Sequence, residues 1–382
     1  MHSNPNNGIS DCYAKRDSEC HPTIGYGYSG PSNAVSRIVA ATAAQGYLAQ
    51  VAAPAANASW TTLFRGPSLR CDNVAGDLRS MFESNIADFV LSGSCARGPG
   101  FLAWTPQMSD DTLPDLMVPF LKEGNGSYYL NTGLATDRLP GNIATLFMAA
   151  TPSVMKQMGA GNSVRKAEAC FMGSDSQEQK VARLLNNSAI LRCDLYNSTY
   201  RAEFKFVNGL QEVNVTTSEL EDAPMSTVSF VRSLADITQP TSGATCDIMS
   251  TTTQEKECMF DMRLMEKLSY QAIMDAFTQQ VVGKLSWTQN SNYAFIIDAN
   301  TSIATTVLSQ TPELAFLNDY DQLSSDHWNF LQDPLGPTHW KDSLYYGLVN
   351  TPPRQSSILL KDAIEKLFEN ITISLMSEPS VQ

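Results

Sequence analysis

The sequence has few charged residues and few histidines for its length. Charged residues make up 17% of the 382 positions, and histidine occurs only four times; an average soluble domain has roughly a quarter of its residues charged. Acidic residues outnumber basic ones, which gives a formal net charge of −13, and no basic cluster occurs. Nucleic acids and anionic lipids attract clustered basic residues, so the composition argues against both as partners.

Long apolar runs are missing as well. A membrane-spanning helix needs about 18 or more consecutive apolar residues, whereas no uninterrupted apolar run here is longer than residues 146–150. The first residues, MHSNPNNGISDCYAK, contain no apolar segment of the kind that a signal peptide requires. Apolar residues are nevertheless 43% of the chain, which is enough for a folded core.

Cysteine is the first feature that is present and informative. Its eight positions are Cys12, Cys20, Cys71, Cys95, Cys170, Cys193, Cys246 and Cys258. No Cys-x-x-Cys pair occurs, which argues against a zinc site, and an even number at spread positions is typical of an oxidising compartment. The simplest scheme pairs sequential neighbours: Cys12–Cys20, Cys71–Cys95, Cys170–Cys193 and Cys246–Cys258. Eight cysteines allow many other pairings, and eight buried thiols in a cytosolic protein are the alternative.

Seven N-glycosylation sequons also indicate export. They begin at Asn57, Asn125, Asn186, Asn197, Asn214, Asn300 and Asn370. Because the chain is rich in Asn, Ser and Thr, chance accounts for roughly half of them, and they support secretion only together with the cysteines. We therefore expect an exported piece of a longer protein, an ectodomain whose leader or flanking membrane spans lie outside this chain.

Residues 190–215 carry the clearest structural signal. From Tyr200 to Phe206 apolar and polar residues alternate, which predicts a strand with one buried face. Asn208-Gly209 follows, and type I′ hairpin turns favour this pair because both central residues take positive φ. The two-residue loop pairs Val207 with Leu210, Phe204 with Val213, Lys205 with Glu212, Glu203 with Asn214 and, less favourably, Phe206 with Gln211.

The whole chain predicts an α+β fold: a β-rich antiparallel sheet or sandwich with several packed helices, stapled by disulfides. Residues 1–32 predict an extended N-terminal arm held by Cys12–Cys20, and residues 33–382 a single large ectodomain, β-rich over 50–240 and richer in helix over 241–382. Helices are predicted between Ser32 and Gly46, at 76–91, 259–282 and 309–318, and along the apolar stripe from Leu360 to Leu375. Strands are predicted at 58–64, ended by Gly66-Pro67, and at 101–104, 127–130 and 143–150.

Six short patterns add a family resemblance. They are WTTLFRGPSLRC (60–71), CDLYNSTY (193–200), FKFVNGLQ (204–211), SYQAIMDAF (269–277), TPELAFL (311–317) and LFENITISLM (367–376). Together they resemble the large extracellular region of a family of fungal multi-spanning membrane proteins of unknown function, some of which carry the name "formylmethionine deformylase-like". The resemblance implies that this region lies between membrane spans, one of them beyond the LFENITISLM segment, and that segments absent from this chain attach it to the membrane.

The enzyme name carried by that family is not supported by the residues. Peptide deformylase holds its metal with a Cys and a His-Glu-x-x-His helix, in which two His share one face and Glu is the base. The histidines of this chain, His2, His21, His327 and His339, form no such motif. We reject deformylase activity and predict no cofactor.

The candidate ligand-binding residues are two His-Trp pairs, His327-Trp328 and His339-Trp340. Imidazoles can bind a metal ion or act as a base, and indole rings can stack on sugars. The spacing between the pairs runs through Pro334, Gly336 and Pro337 and fits no metal motif, so no metal or catalytic residue is assigned. Aromatics that seal a loop are the simpler interpretation.

Together with the resemblance, which implies a fungal membrane, these observations predict a non-catalytic binding, sensing or structural module on the extracellular side of a fungal plasma membrane. Its predicted partner is cell-wall polysaccharide or another membrane protein. The alternative is a secreted hydrolase acting on cell-wall carbohydrate. A deep pocket that contains His327 or two acids would favour the hydrolase, whereas a shallow polar surface would favour the binding module.

Overall fold

The computed structural model of the chain describes residues 30–92, 97–106, 117–131, 144–151, 185, 188–220, 223–225, 238–240, 258–260, 262–289, 295–317 and 356–377. The architecture of these residues is α+β, with packed helices and a disulfide-bonded antiparallel sheet, as the sequence predicts. Residues 1–29, which make up most of the predicted N-terminal arm, lie outside them.

The α-helices of this described part lie close to their predicted positions. They are α1 (Asn33–Gln45), α2 (Gly76–Ser92), α3 (Met262–Val281) and α4 (Leu360–Ser374). The predicted ends of α1 are confirmed: the Ser32 hydroxyl accepts a hydrogen bond from the N–H of Val35 at 3.3 Å, and Gly46 ends the helix with φ of 72°. The helix predicted at 309–318 is wrong in type, because this part of the chain forms 3₁₀ turns at Ile303–Thr305, Val307–Gln310 and Pro312–Leu317. A further 3₁₀ turn, Leu375–Ser377, follows α4.

The strands in the described residues are β1 (Ala58–Asn73), β2 (Arg97–Trp104), β3 (Phe120–Lys122), β4 (Tyr128–Leu130), β5 (Thr145–Ala150), β6 (Ala189–Val207), β7 (Leu210–Leu220), β8 (Thr238–Pro240), β9 (Cys258–Phe260), β10 (Gly283–Gln289) and β11 (Phe295–Ala299). The strands predicted around β2, β4 and β5 are confirmed. The sequence did not predict β10 and β11, which lie in the part of the chain expected to be richer in helix.

The strand β6 pairs with three other strands in a seven-stranded antiparallel sheet. Six strands follow the order β1-β6-β5-β2-β10-β11, and the seventh, β7, pairs with β6 beside this path. One edge of β6 pairs with β1 along residues 191–206. Its other edge pairs with β5 along 189–194 and with β7 along 198–207. The sheet therefore joins strands from the beginning, the middle and the C-terminal part of the chain.

Helices cover both faces of this sheet. On one face, α1, α3 and α4 pack against β2, β5 and β6, and the predicted apolar stripe of α4 is buried there. On the other face, α2 and the β3–β4 hairpin enclose an aromatic cluster in which Phe82, Trp104 and Phe147 lie 5.0–5.4 Å apart, centroid to centroid. Because both faces are buried, β2 and β5 contain continuous apolar runs instead of an alternating pattern.

The strand β1 continues through Gly66 and Pro67, so the prediction that it ends there is wrong. Proline lacks an N–H and is tolerated in a sheet only where that N–H would not be needed, as on an edge strand. Within the described sheet, β1 is an edge strand. The carbonyl of Pro67 accepts hydrogen bonds from the Tyr200 hydroxyl at 2.8 Å and the Thr372 hydroxyl at 2.9 Å. Side chains therefore provide the hydrogen-bond partners of this backbone carbonyl.

The β6–β7 hairpin is confirmed with the predicted register at all five pairs. Asn208 and Gly209 take φ of 52° and 82°, as a type I′ turn requires. Gln211, whose position opposite Phe206 looked unfavourable, uses its side chain to fix residues 49–51: Oε1 accepts from the N–H of Val51 at 2.7 Å, and Nε2 donates to the carbonyl of Ala49 at 3.3 Å.

Candidate functional site

The sheet register places Cys71 of β1 directly opposite Cys193 of β6. Their Cα atoms are 4.0 Å apart, a disulfide joins them, and both residues are fully buried. The predicted pairs Cys71–Cys95 and Cys170–Cys193 are therefore wrong, because the long strands bring together cysteines that are distant in sequence. The pairs Cys12–Cys20 and Cys246–Cys258 stay predictions: Cys12, Cys20, Cys95, Cys170 and Cys246 lie outside the described residues, and only the backbone of Cys258 is described.

Helix α4 closes the edge of β1 next to this disulfide. Glu365 accepts a hydrogen bond from the backbone N–H of Cys71 at 2.7 Å, and two turns later Thr372 donates to the carbonyl of Pro67. Residues seven apart lie on the same side of a helix, so both side chains reach the same strand. An uncovered strand edge presents unpaired backbone groups to other chains, and α4 occupies two of these groups, the N–H of Cys71 and the carbonyl of Pro67.

A buried polar cluster lies where α4 crosses the β1–β6 pair. The Tyr200 hydroxyl and the Thr372 hydroxyl share the Pro67 carbonyl, and the hydroxyls of Ser68 and Ser198 lie 2.6 Å apart. Burial raises the pKa of Tyr200 well above its usual value, and the negative charge of the nearby Glu369 adds to this effect. Tyr200 is therefore a protonated hydrogen-bond donor, and the cluster stabilises the crossing.

The sequon asparagines have different environments in the folded chain. Asn57, Asn125, Asn214 and Asn300 are exposed, whereas Asn370 is partly buried and donates through Nδ2 to the carbonyl of Gly46 at 3.0 Å. Asn197 is only 8% exposed and lies within β6 opposite Pro67, which disfavours a glycan at that position. Asn186 lies outside the described residues.

The first surface candidate is the outer face of the β1–β6–β7 ribbon, which we name the hairpin face. It is formed by paired residues that point away from the buried side of the ribbon: Ser59, Thr61, Leu63, Arg201, Glu203, Lys205, Val207, Leu210, Glu212, Asn214 and Thr216. Two ion pairs, Arg201–Glu203 at 2.9 Å and Lys205–Glu212 at 3.4 Å, lie on this face. Leu63 and Leu210 are 70% and 74% exposed, so the face is mixed in polarity.

Aromatic packing behind the hairpin face keeps it in place. The ring of Trp60 stacks on Phe204 and Phe206 with centroid distances of 5.1 and 5.4 Å. At the turn, the backbone N–H of Asn208 donates to Oδ1 of Asn57 at 2.9 Å. The hairpin face is therefore an ordered surface that carries the exposed sequon residue Asn214 near its centre and Asn57 near its tip.

The second surface candidate is an open depression along one side of α1, which we name the α1 groove. Its volume is about 240 Å³, and it is lined by Ala34, Arg37, Ile38, Ala41, Thr42, Gln45, Tyr47 and Ala49. Tyr47, at one end of the groove, is 71% exposed. Ligand pockets for drug-sized molecules measure roughly 300–1,000 Å³, so the groove fits only a small group.

The residues predicted to bind a ligand, His327, Trp328, His339 and Trp340, all lie outside the described residues. Within the described ranges, no group of three or more His, Cys, Asp or Glu side chains is arranged to hold a metal ion. In the same ranges, no helix combines the length and the apolar character that crossing a bilayer demands. Sequence patterns missed the α1 groove, because its lining combines a helix side with a loop and only the three-dimensional packing brings them together.

Comparisons of the chain with protein-family models, curated proteins and solved structures found no significant match.

Proposed function

We propose that this chain is a disulfide-bonded, N-glycosylated ectodomain on the outer face of a fungal membrane that binds a partner without catalysing a reaction. The observation that carries the proposal is the Cys71–Cys193 disulfide, buried between two long strands of the sheet. Structural disulfides form and persist where thiols are oxidised, as in secreted proteins and ectodomains. The four exposed sequon asparagines support the same compartment.

The binding role is supported by the kind of surface that the fold presents. The hairpin face is ordered, exposed and mixed in polarity, and the α1 groove is shallow and small. Surfaces of this kind suit contact with a macromolecule. Attachment to the membrane through segments outside this chain rests on the family resemblance, as does the choice of cell-wall polysaccharide or another membrane protein as partner.

Protein purified from the native host tests the compartment. Alkylation without prior reduction should leave Cys71 and Cys193 unmodified, and their peptides should appear linked in the mass spectrum. Enzymatic deglycosylation in ¹⁸O-water should label Asn57, Asn125, Asn214 and Asn300. Free thiols at both cysteines together with unlabelled asparagines would contradict the proposal.

The binding role is tested by co-sedimentation of the purified chain with insoluble β-glucan and with chitin. Sedimentation without release of reducing ends supports a binding module for wall polysaccharide. Release of reducing ends would show the secreted hydrolase instead. A chain that stays in solution and releases nothing favours a protein partner, which crosslinking on intact cells followed by mass spectrometry would identify.

A further inference from the structure

One end of the α1 groove lies beside a sequon asparagine of another helix. Asn370 of α4 donates through Nδ2 to the carbonyl of Gly46 at 3.0 Å. One turn later, Ser374 accepts from the backbone N–H of Ala49 at 2.9 Å. The groove residues Tyr47 and Ala49 follow Gly46 in the chain, so Tyr47 lies between the two contacts and Ala49 makes the second one. The Asn370 amide thus bonds to Gly46, the residue between the groove residues Gln45 and Tyr47.

The chemistry of the Asn370 side chain is compatible with attachment of a sugar at this place. A primary amide has two N–H groups, and one of them is used in the hydrogen bond to Gly46. N-glycosylation replaces one of these two hydrogens with the sugar. The glycosylated Nδ2 can therefore donate its remaining hydrogen to the carbonyl of Gly46. The sequon is completed by Thr372, whose side chain is buried against β1.

The groove has room for one small group and combines apolar with polar lining residues. Its volume is about 240 Å³, with Ile38 and Ala41 as apolar wall and Arg37 and Gln45 as polar side chains. The apolar face of a pyranose packs on an aromatic ring, and Tyr47 is an aromatic residue that is 71% exposed. Guanidinium and amide groups can donate to the sugar hydroxyls and to the acetamido carbonyl.

We propose that the α1 groove holds the first N-acetylglucosamine of a glycan attached to Asn370, with Tyr47 as its stacking platform. Attachment forms a bond between Nδ2 of Asn370 and C1 of the sugar. It breaks the bond between C1 and the phosphate of a lipid-linked pyrophosphate sugar donor, and one Nδ2 proton goes to the leaving phosphate. The inference rests on the proposed function, because it requires that the chain is N-glycosylated.

The test compares the effect of Tyr47→Ala on the thermal unfolding temperature of glycosylated and unglycosylated full-length chain. The unglycosylated form is produced in the same host with the transfer of the lipid-linked sugar inhibited, and the glycosylated form is trimmed to one N-acetylglucosamine at each site. We expect Tyr47→Ala to lower Tm by about 1–3 °C in the glycosylated form, the size of a lost stacking contact in a chain of this length. In the unglycosylated form Tm should stay unchanged, because the Tyr47 ring is exposed there.

Two controls separate the glycan at Asn370 from other effects. Ile358→Ala, at a residue 51% exposed ahead of α4, should change Tm equally in both forms. In an Asn370→Gln background, Tyr47→Ala should have no effect on Tm in the glycosylated protein, because the sugar that the ring supports is missing.

The outcomes distinguish this inference from the proposed function. Glycans at the exposed asparagines but none at Asn370, or an equal effect of Tyr47→Ala in both forms, would overturn the inference and leave the proposed function standing. Absence of glycans at every sequon of native protein would overturn both. Occupancy of Asn370 together with the glycan-dependent effect of Tyr47→Ala would support the inference.

Discussion

Thr372 packs against Gly66 so closely that a Cβ atom on the glycine would lie 2.9 Å from the Thr372 methyl carbon. This contact is where α4 crosses the edge strand β1, and Thr372 also donates to the carbonyl of the next residue, Pro67. Gly66 therefore sets the distance between the helix and the strand.

Replacing Gly66 with alanine should destabilise the chain by about 1–3 kcal/mol, because the added methyl group forces the helix away from the strand. The free energy of unfolding in urea measures the effect. Gly124→Ala is the matched control, since a Cβ there meets nothing within 4 Å, and it should change the stability by less than about 0.5 kcal/mol. Equal effects of the two substitutions would contradict the close packing of α4 on β1.

Replacing both Cys71 and Cys193 with alanine should lower the free energy of unfolding by about 2–5 kcal/mol. The disulfide closes a loop with a sequence separation of 122 residues, and a cross-link of that span restricts the unfolded chain strongly. Urea unfolding of the wild-type protein with and without a reductant provides the comparison. A double variant as stable as the oxidised wild type would show that this cross-link contributes nothing.

Replacing Gln211 with leucine should cost about 1–3 kcal/mol, because the N–H of Val51 and the carbonyl of Ala49 lose the side chain that pairs with them. Glu212→Leu is the control on the neighbouring position of the same strand. Glu212 makes an exposed ion pair with Lys205, and such pairs contribute little. Amide hydrogen exchange at residues 49–51 should accelerate in the Gln211 variant alone.

Alkaline pH should destabilise the chain through Tyr200. Burial raises the folded-state pKa of this residue above the ordinary value of 10.0, so above pH 10 the unfolded chain loses the proton while the folded chain keeps it. The free energy of unfolding should then fall as pH rises, by up to about 1.4 kcal/mol per pH unit. Tyr200→Phe should be less stable at pH 7 because it loses the bond to Pro67, and its slope above pH 10 should be smaller. Identical slopes for wild type and variant would contradict the burial of the hydroxyl.

The sequence predicted the hairpin and its register because local rules determine both. Alternation defines the buried face, and Asn208-Gly209 dictates the turn. The first half of β6 was not predicted because the alternation of buried and less buried residues changes phase within the strand. Cys193 and Leu195 are buried in the first half and Tyr200 and Ala202 in the second, with Asn197 and Ser198 both buried between them. The β1–β6 register does not shift at this point, whereas the β6–β7 register shifts between Thr199 and Tyr200. Which face of β6 is buried therefore depends on the helices and strands that cover each half, and the local pattern does not report this.

The disulfide and the edge of β1 were beyond sequence reasoning for a related reason. Cys71 and Cys193 meet because two long strands pair, and no local pattern reports a contact across 122 residues. Pro67 looked like the end of a strand because the sequence does not reveal that β1 is an edge strand. Glu365 and Thr372 belong to an ordinary amphipathic pattern, and their roles depend on which strand the helix meets.

The closure of β1 by α4 has a consequence for biosynthesis. Lys361 reaches Asp72 across a sequence separation of 289 residues, and a ribosome adds roughly 5–20 residues per second. About 15–60 s therefore pass between the synthesis of β1 and the synthesis of α4, which packs on it. Chains that terminate before residue 360 would leave the edge of β1 uncovered. We expect such chains to be retained by chaperones or to aggregate.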